Sequence, residues 1–306
     1  MNRLLISMLI AASAILTANA QDNVSHEYEY DSFSSVCVSD DFIIRLANSD
    51  KYMLTVTSDV RLEHYIKPYV LNGTLYISVD RKSFTPELKK ALRARGAAAP
   101  VLDIMISCPT IKSLELNGNS ILHKADALYT DAFRLSAGDK ARIDNLIIDC
   151  KTAEVTLSKN SYAELEVKAS EKLYLNTMNA SKASVKHSGQ EIIVDAVGSS
   201  NVNIIAETED LKVVSAGGSL VTLVSGKASR MTANASGSSR IDAEAVAIQK
   251  AAIEQVGTSR CHVNITDTLT VNLTGNSMLT FKDKPYIDVE RIVGSTLIKH
   301  DDPRRK

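Results

Sequence analysis

A serine presented on a tight turn is a candidate nucleophile, and this sequence carries a column of them. Ser120, Lys140, Ser161, Ser181, Ser200, Ser219, Ser239, Ser259, Ser277 and Thr296 each stand two positions after Gly118, Gly138, Lys159, Asn179, Gly198, Gly217, Gly237, Gly257, Gly275 and Gly294. The pattern recurs every 18 to 21 residues. A serine nucleophile needs an adjacent base. No histidine holds a matching position beside this column, and ten copies of one nucleophile serve no reaction. The serines read as structural.

Other reactive types are equally scattered. His26, His64, His123, His187, His262 and His300 read as isolated surface residues. His123 and His262 share a repeat position but lie seven repeats apart, over 30 Å at one strand spacing per repeat. Polysaccharide cleavage would need two carboxylates close together in a groove. Asp195 and Glu254 share a face three repeats apart, and Glu164 and Asp242 are separated by four. Each glycine joins strand to strand, so no phosphate-cradling strand-to-helix loop is present. One surface pair is a candidate contact: Arg240 and Arg260 occupy one outward column on adjacent repeats, with His262 and Asp242 nearby. Stacked guanidinium groups suit an anionic glycan or another carboxylate. No cofactor, metal ligand set or catalytic residue is assigned.

The elements that must position these residues follow from the repeat. Four residues after each glycine the column reads Leu122, Arg142, Ala163, Ala183, Val202, Val221, Ile241, Cys261, Leu279 and Ile298. Four before it stand Leu114, Arg134, Val155, Leu175, Val194, Val213, Ala233, Ile253, Val271 and Glu290. Six after it, Lys124, Asp144 and His300 interrupt an otherwise apolar series. Intervening positions are mostly polar. Period two with one apolar face is a strand buried on one side. A fixed period near 20 marks a repeat architecture. A hairpin meander would reverse direction at each strand and lose the column register. The expectation is all-β: a parallel β-solenoid of about ten rungs, each with two short strands, a tight corner and a third side of turns. Glycine supplies φ > 0 at the corner. Lys159 predicts one looser corner.

Residues 21–110 read as an irregular β cap, with a strong turn at Asn72-Gly73 and a short basic helix at residues 86–95. That helix reads as a solvated insertion. Residues 111–300 hold the repeats, and residues 301–306 form a polar tail that would blunt the far end. Cys37 and Cys108 could pair, or could be buried thiols like Cys150 and Cys261.

Residues 1–20 have a basic start, an apolar run over residues 4–16 and an Ala-x-Ala cleavage site, the pattern of an export signal. The run is too short to span a bilayer. Charge is balanced, with 35 basic and 36 acidic residues, which removes the electrostatic case for nucleic acid. Aromatic residues make up 5% and Trp is absent, which disfavours a deep stacking cleft for sugars.

With this leader, the strand ending Asn72-Gly73-Thr74-Leu75-Tyr76-Ile77, and corners such as Leu116-Asn117-Gly118-Asn119-Ser120 and Val197-Gly198-Ser199-Ser200, the chain resembles the "putative auto-transporter adhesin, head GIN domain" family of bacterial envelope proteins. The likeness covers most of residues 33–298. It implies a β-helical fold and a periplasmic, outer-surface or extracellular role. No stretch after the last repeat is long enough for a translocator barrel, so export by another route is expected. The functional expectation is a non-enzymatic solenoid for adhesion or scaffolding, with a glycan or envelope protein as partner. The alternative is a β-helix that binds or cleaves polysaccharide.

Overall fold

The computed structural model describes residues 22–300. The export leader and the polar tail lie outside the described residues. The N-terminal part contains β1 (Asn23–Tyr30), β2 (Ser35–Val38), β3 (Ile43–Asn48), β4 (Tyr52–Asp59), β5 (Tyr69–Leu71), β6 (Thr74–Ile77), the helix α1 (Pro86–Arg93) and β7 (Leu102–Cys108). The first turns use β8 (Ser113–Leu116), β9 (Ile121–Ala125), β10 (Leu128–Tyr129) and β11 (Ala132–Ala137). One long strand then serves each turn: β12 (Arg142–Leu157), β13 (Tyr162–Thr177), β14 (Lys182–Gly198), β15 (Asn201–Gly217), β16 (Leu220–Ala235), β17 (Arg240–Gln255) and β18 (Arg260–Thr274). The last turn is β19 (Met278–Lys282), β20 (Tyr286–Val293) and β21 (Thr296–Lys299).

Successive long strands pair in parallel, so each residue stacks on its counterpart one turn away. Ala163, Ala183, Val202, Val221, Ile241, Cys261 and Leu279 form one such column, and all are buried. The fold is a parallel β-solenoid, as expected, of about nine turns where about ten rungs were expected. Its rod is roughly 40–45 Å long at one strand spacing per turn. Each fully buried Val, Leu or Ile in these columns contributes about 1.5–3 kcal/mol.

The structure departs from expectation in the sides of the coil. No side consists of turns in the middle rungs. Strands of 15–17 residues run from one corner to the next. Bends are made within the strand by register shifts, as between Cys150 and Thr152, Lys168 and Lys172, or Ala243 and Ala247. A bulge turns the chain while most backbone groups stay bonded. The corner is thus the one place per turn where the strand ends.

Two turns also sit one residue from their expected alignment. At the second corner the left-handed residue is Asp139 (φ 58°), not Gly138. Ala141 takes the serine position, and Leu135 and Ile143 fill the core where Arg134 and Arg142 were expected. In the last turn Ser295, Leu297 and Val289 replace Thr296, Ile298 and Glu290. The charged intruders in the apolar columns were misalignments. Lys159 makes no looser corner: Lys159 (φ 54°) and Asn160 (φ 66°) are consecutive left-handed residues in a tight turn. Asp40 (φ 81°) forms an additional corner between β2 and β3, stacked on Gly118, with buried Phe42 at the serine position.

Glycine is needed at the corners for approach as well as for φ. Gly217 has φ 76°, and a Cβ there would lie 2.8 Å from the Gly198 carbonyl oxygen. The corner serines mostly donate to backbone: Ser181 to Met178 at 2.8 Å, Ser200 to Val197 at 2.8 Å, and Ser219 to Ala196 at 2.8 Å. Contacts between hydroxyls of successive turns are fewer, such as Ser277 to Ser295 at 3.0 Å.

At the N-terminal end, β2 lies between β6 and β8, and β3 between β7 and β9. Beyond β7 the pairing turns antiparallel through β4 and β1. Residues Asn72 (φ 51°) and Gly73 (φ 75°) close the β5–β6 hairpin. Helix α1 ends at Arg93, and it is docked: Thr85 caps it and Leu88 and Leu92 pack on the core. Its cations face outward. All four cysteines are free, so Cys37 and Cys108 are not joined.

Candidate functional site

Arg240 and Arg260 open β17 and β18 and stand directly opposite each other across the parallel ladder. Inward-facing Ile241 and Cys261 follow them and anchor the strands. The next outward pair is Asp242 and His262. The two guanidinium groups are not equivalent. Arg240 donates to Asp242 at 3.1 Å, whereas Arg260 makes no ion pair among the described residues.

The patch extends further than the pair. Between Ala243 and Ala247 the strand bulges, which brings Glu244 forward. Glu244 accepts from Lys282 of β19 at 2.7 Å and pairs with His300 at 2.8 Å. The Lys282 hydrogen bond, and the His300 bond after it, hold the Glu244 carboxyl below the usual carboxylate range. Burial, and secondarily the Arg240 charge, push the His262 imidazole below its ordinary value. His262 is therefore neutral at pH 7, and the open cation is Arg260. Carboxylates already engaged with their own cations leave that guanidinium free for an anionic ligand.

Glu244, Lys282 and His300 were not visible as a group in the sequence. The one signal was spacing: 20 residues separate Gly237 from Gly257, but 18 separate Gly257 from Gly275. The additional residues include the bulge that presents Glu244. Three histidines also correct the expectation of isolated surface side chains, His26 being part-buried and held on Glu63 at 2.8 Å. His300 is held on Glu244, and His187 is buried at 1% exposure inside the coil. His123 does stand on the surface, against Asp144 at 3.4 Å. No group of three His, Cys, Asp or Glu suits a metal ion among the described residues.

A further carboxylate pair lies within a single turn. Glu207 and Glu209 flank buried Thr208 on β15 and line an open groove of about 560 Å³ with Ser188, Lys227, Ser229 and Gln249. The groove forms where Gly189 and the small side chains Ala228 and Ala247 leave the surface low. Asp195, by contrast, is taken by the Tyr174 hydroxyl at 2.6 Å.

The sequence profile of the family described as "Putative auto-transporter adhesin, head GIN domain" matches residues 32–174 and again residues 163–285. The chain belongs to this family. The two matches overlap on β13, as expected where one repeating coil satisfies the same pattern twice. No curated protein gives a match. Among solved structures, a protein of Parabacteroides distasonis described as a "putative lipid binding protein" is 18% identical, with 92% of this chain and 97% of that chain covered and a TM-score of 0.45. A "putative adhesin" of Parabacteroides merdae is 13% identical, with coverage of 91% and 96% and a TM-score of 0.46. A second such protein from Parabacteroides distasonis is 16% identical, with coverage of 92% and 98% and a TM-score of 0.44.

Proposed function

We propose that this head GIN family member is an exported envelope protein that acts by contact, in adhesion or scaffolding, and not by catalysis. The observation that carries this reading is the division of labour within each turn. Inward positions and corners serve the coil, while outward positions vary and leave Arg260 as an open cation in an otherwise neutralised patch. An acidic glycan is the partner such a patch fits. A glycan array against the purified protein tests it. Binding should favour acidic glycans and fall at least tenfold, about 1.4 kcal/mol, in Arg260→Ala, with a smaller loss in Arg240→Ala. Equal binding by Arg260→Ala would remove the patch from the account.

The groove at Glu207 and Glu209 favours a second reading, a polysaccharide-binding or polysaccharide-cleaving face. Two carboxylates flanking a bond are the minimum for glycoside hydrolysis. Release of reducing ends from a polysaccharide panel, abolished by Glu207→Gln or Glu209→Gln, would replace the first reading with this one.

A further inference from the structure

The two ends of the rod are finished differently. At the N-terminal end the outermost strand β1 is antiparallel and carries Glu27 and Glu29 at exposed positions. Charge on an edge strand discourages further pairing. At the other end β20 pairs with β18 on one side, and among the described residues no strand meets its free edge. The columns it extends are fully buried one turn earlier at Leu269, Val271 and Leu273. Of their successors, Ile287 is partly buried, while Val289 at 51% and Ile292 at 38% exposure are uncovered. An unpaired edge is a template for strand addition by a segment whose charges match it.

The order of residues in β20 selects the occupant. Laid antiparallel on a copy of itself about a two-fold axis between Val289 and Glu290, Asp288 of each strand falls opposite Arg291 of the other. Ile287 then meets Ile292, and Tyr286 meets Val293. Asp288 and Arg291 both sit on the outward face, opposite Thr270 and Asn272 of β18, while Ile287 and Ile292 share the core face. This register matches Asp288 with Arg291 and Ile287 with Ile292 twice over, while on the axis itself, where β20 bulges between Val289 and Arg291, Val289 meets Glu290.

We propose that the C-terminal edge of the solenoid docks a second copy of this chain, tail to tail, through antiparallel pairing of β20. The contact is isologous and closes at two copies. It is independent of the Arg260 patch, which lies on the side of the coil.

Sedimentation of the purified protein over a dilution series tests the proposal, with circular dichroism to confirm that each variant keeps its strand content. The protein should show a monomer–dimer equilibrium. Asp288→Arg and Arg291→Asp should each weaken the dimer at least tenfold, since each sets like charges opposite one another in both symmetric pairs. The double variant carrying both changes should regain the dimer, because it restores opposite charges in the same register. A monomer at every concentration, a dimer unaffected by the single reversals, a double variant that fails to recover, or open-ended polymers would each overturn it.

Discussion

His187 is an imidazole where its neighbours in the stack, Val167 and Ala206, are apolar. Neither ring nitrogen has a hydrogen bond of good geometry, and the nearby Val167 backbone opposes only weakly the effect of burial. Burial pushes the imidazole down to about 4, against 6.5 when unfolded. The native state therefore binds fewer protons than the unfolded state between these values. The stability that depends on a neutral His187 is complete above pH 6.5 and is lost as pH falls towards 4, a change of about 3 kcal/mol. Urea unfolding at pH 7.5 and pH 4.5 should show this loss in the native protein and a much smaller one in His187→Val. The thiols tell a parallel story. Burial raises Cys37, Cys108 and Cys150 to about 11 and Cys261 to about 12. Since thiolate is the reactive form, Ellman's reagent at pH 8 should find almost no reactive cysteine in the folded protein and four after denaturation. A denatured count of two would mean that one pair is oxidised.

At the scale of the turn, backbone geometry decides. Lys159 pays a left-handed strain that glycine avoids, so Lys159→Gly should raise stability by about 1 kcal/mol; its exposed ion pair with Asp139 contributes little in compensation. Gly189 has no left-handed φ, yet a Cβ there would lie 1.8 Å from the Ala169 carbonyl oxygen. Gly189→Ala should therefore lower stability by about 2–3 kcal/mol through overpacking, while Gly96→Ala, with nothing within 4 Å, carries only the conformational strain of its φ of 83°. Thermal unfolding of the three variants checks the ranking. The same geometry explains what could be read in advance. The solenoid, its period and its inward columns were legible because Leu175, Val194, Val213 and their kin repeat at fixed offsets. Asp40 hid one corner, and Asp139 left another misplaced by one residue on Gly138, because aspartate tolerates the left-handed region and breaks the glycine pattern. Glu244, Lys282 and His300 were illegible as a group because a bulge, a short strand and the residue after β21 meet there across 56 residues. Side-chain burial within one continuous strand also concealed His187.

At the scale of the molecule, nearly every contact joins a turn to its immediate neighbours, so stability is close to a sum of interfaces. Hydrogen exchange at dilutions where the protein is monomeric should therefore grade along the axis: slowest in β13 to β17, which are covered on both sides, and fastest in β20, β21 and β1. Uniform protection from end to end would contradict that picture. The corner geometry has a further consequence for how such a chain changes over time. Because each turn begins and ends at the same kind of corner, and because every column accepts the column above it, a turn is a removable unit. Duplicating about 20 residues between two corners would lengthen the rod by one strand spacing, about 4.8 Å, and leave both ends as they were. The protein is in this sense a ruler with interchangeable divisions, whose length can be set without redesigning either end.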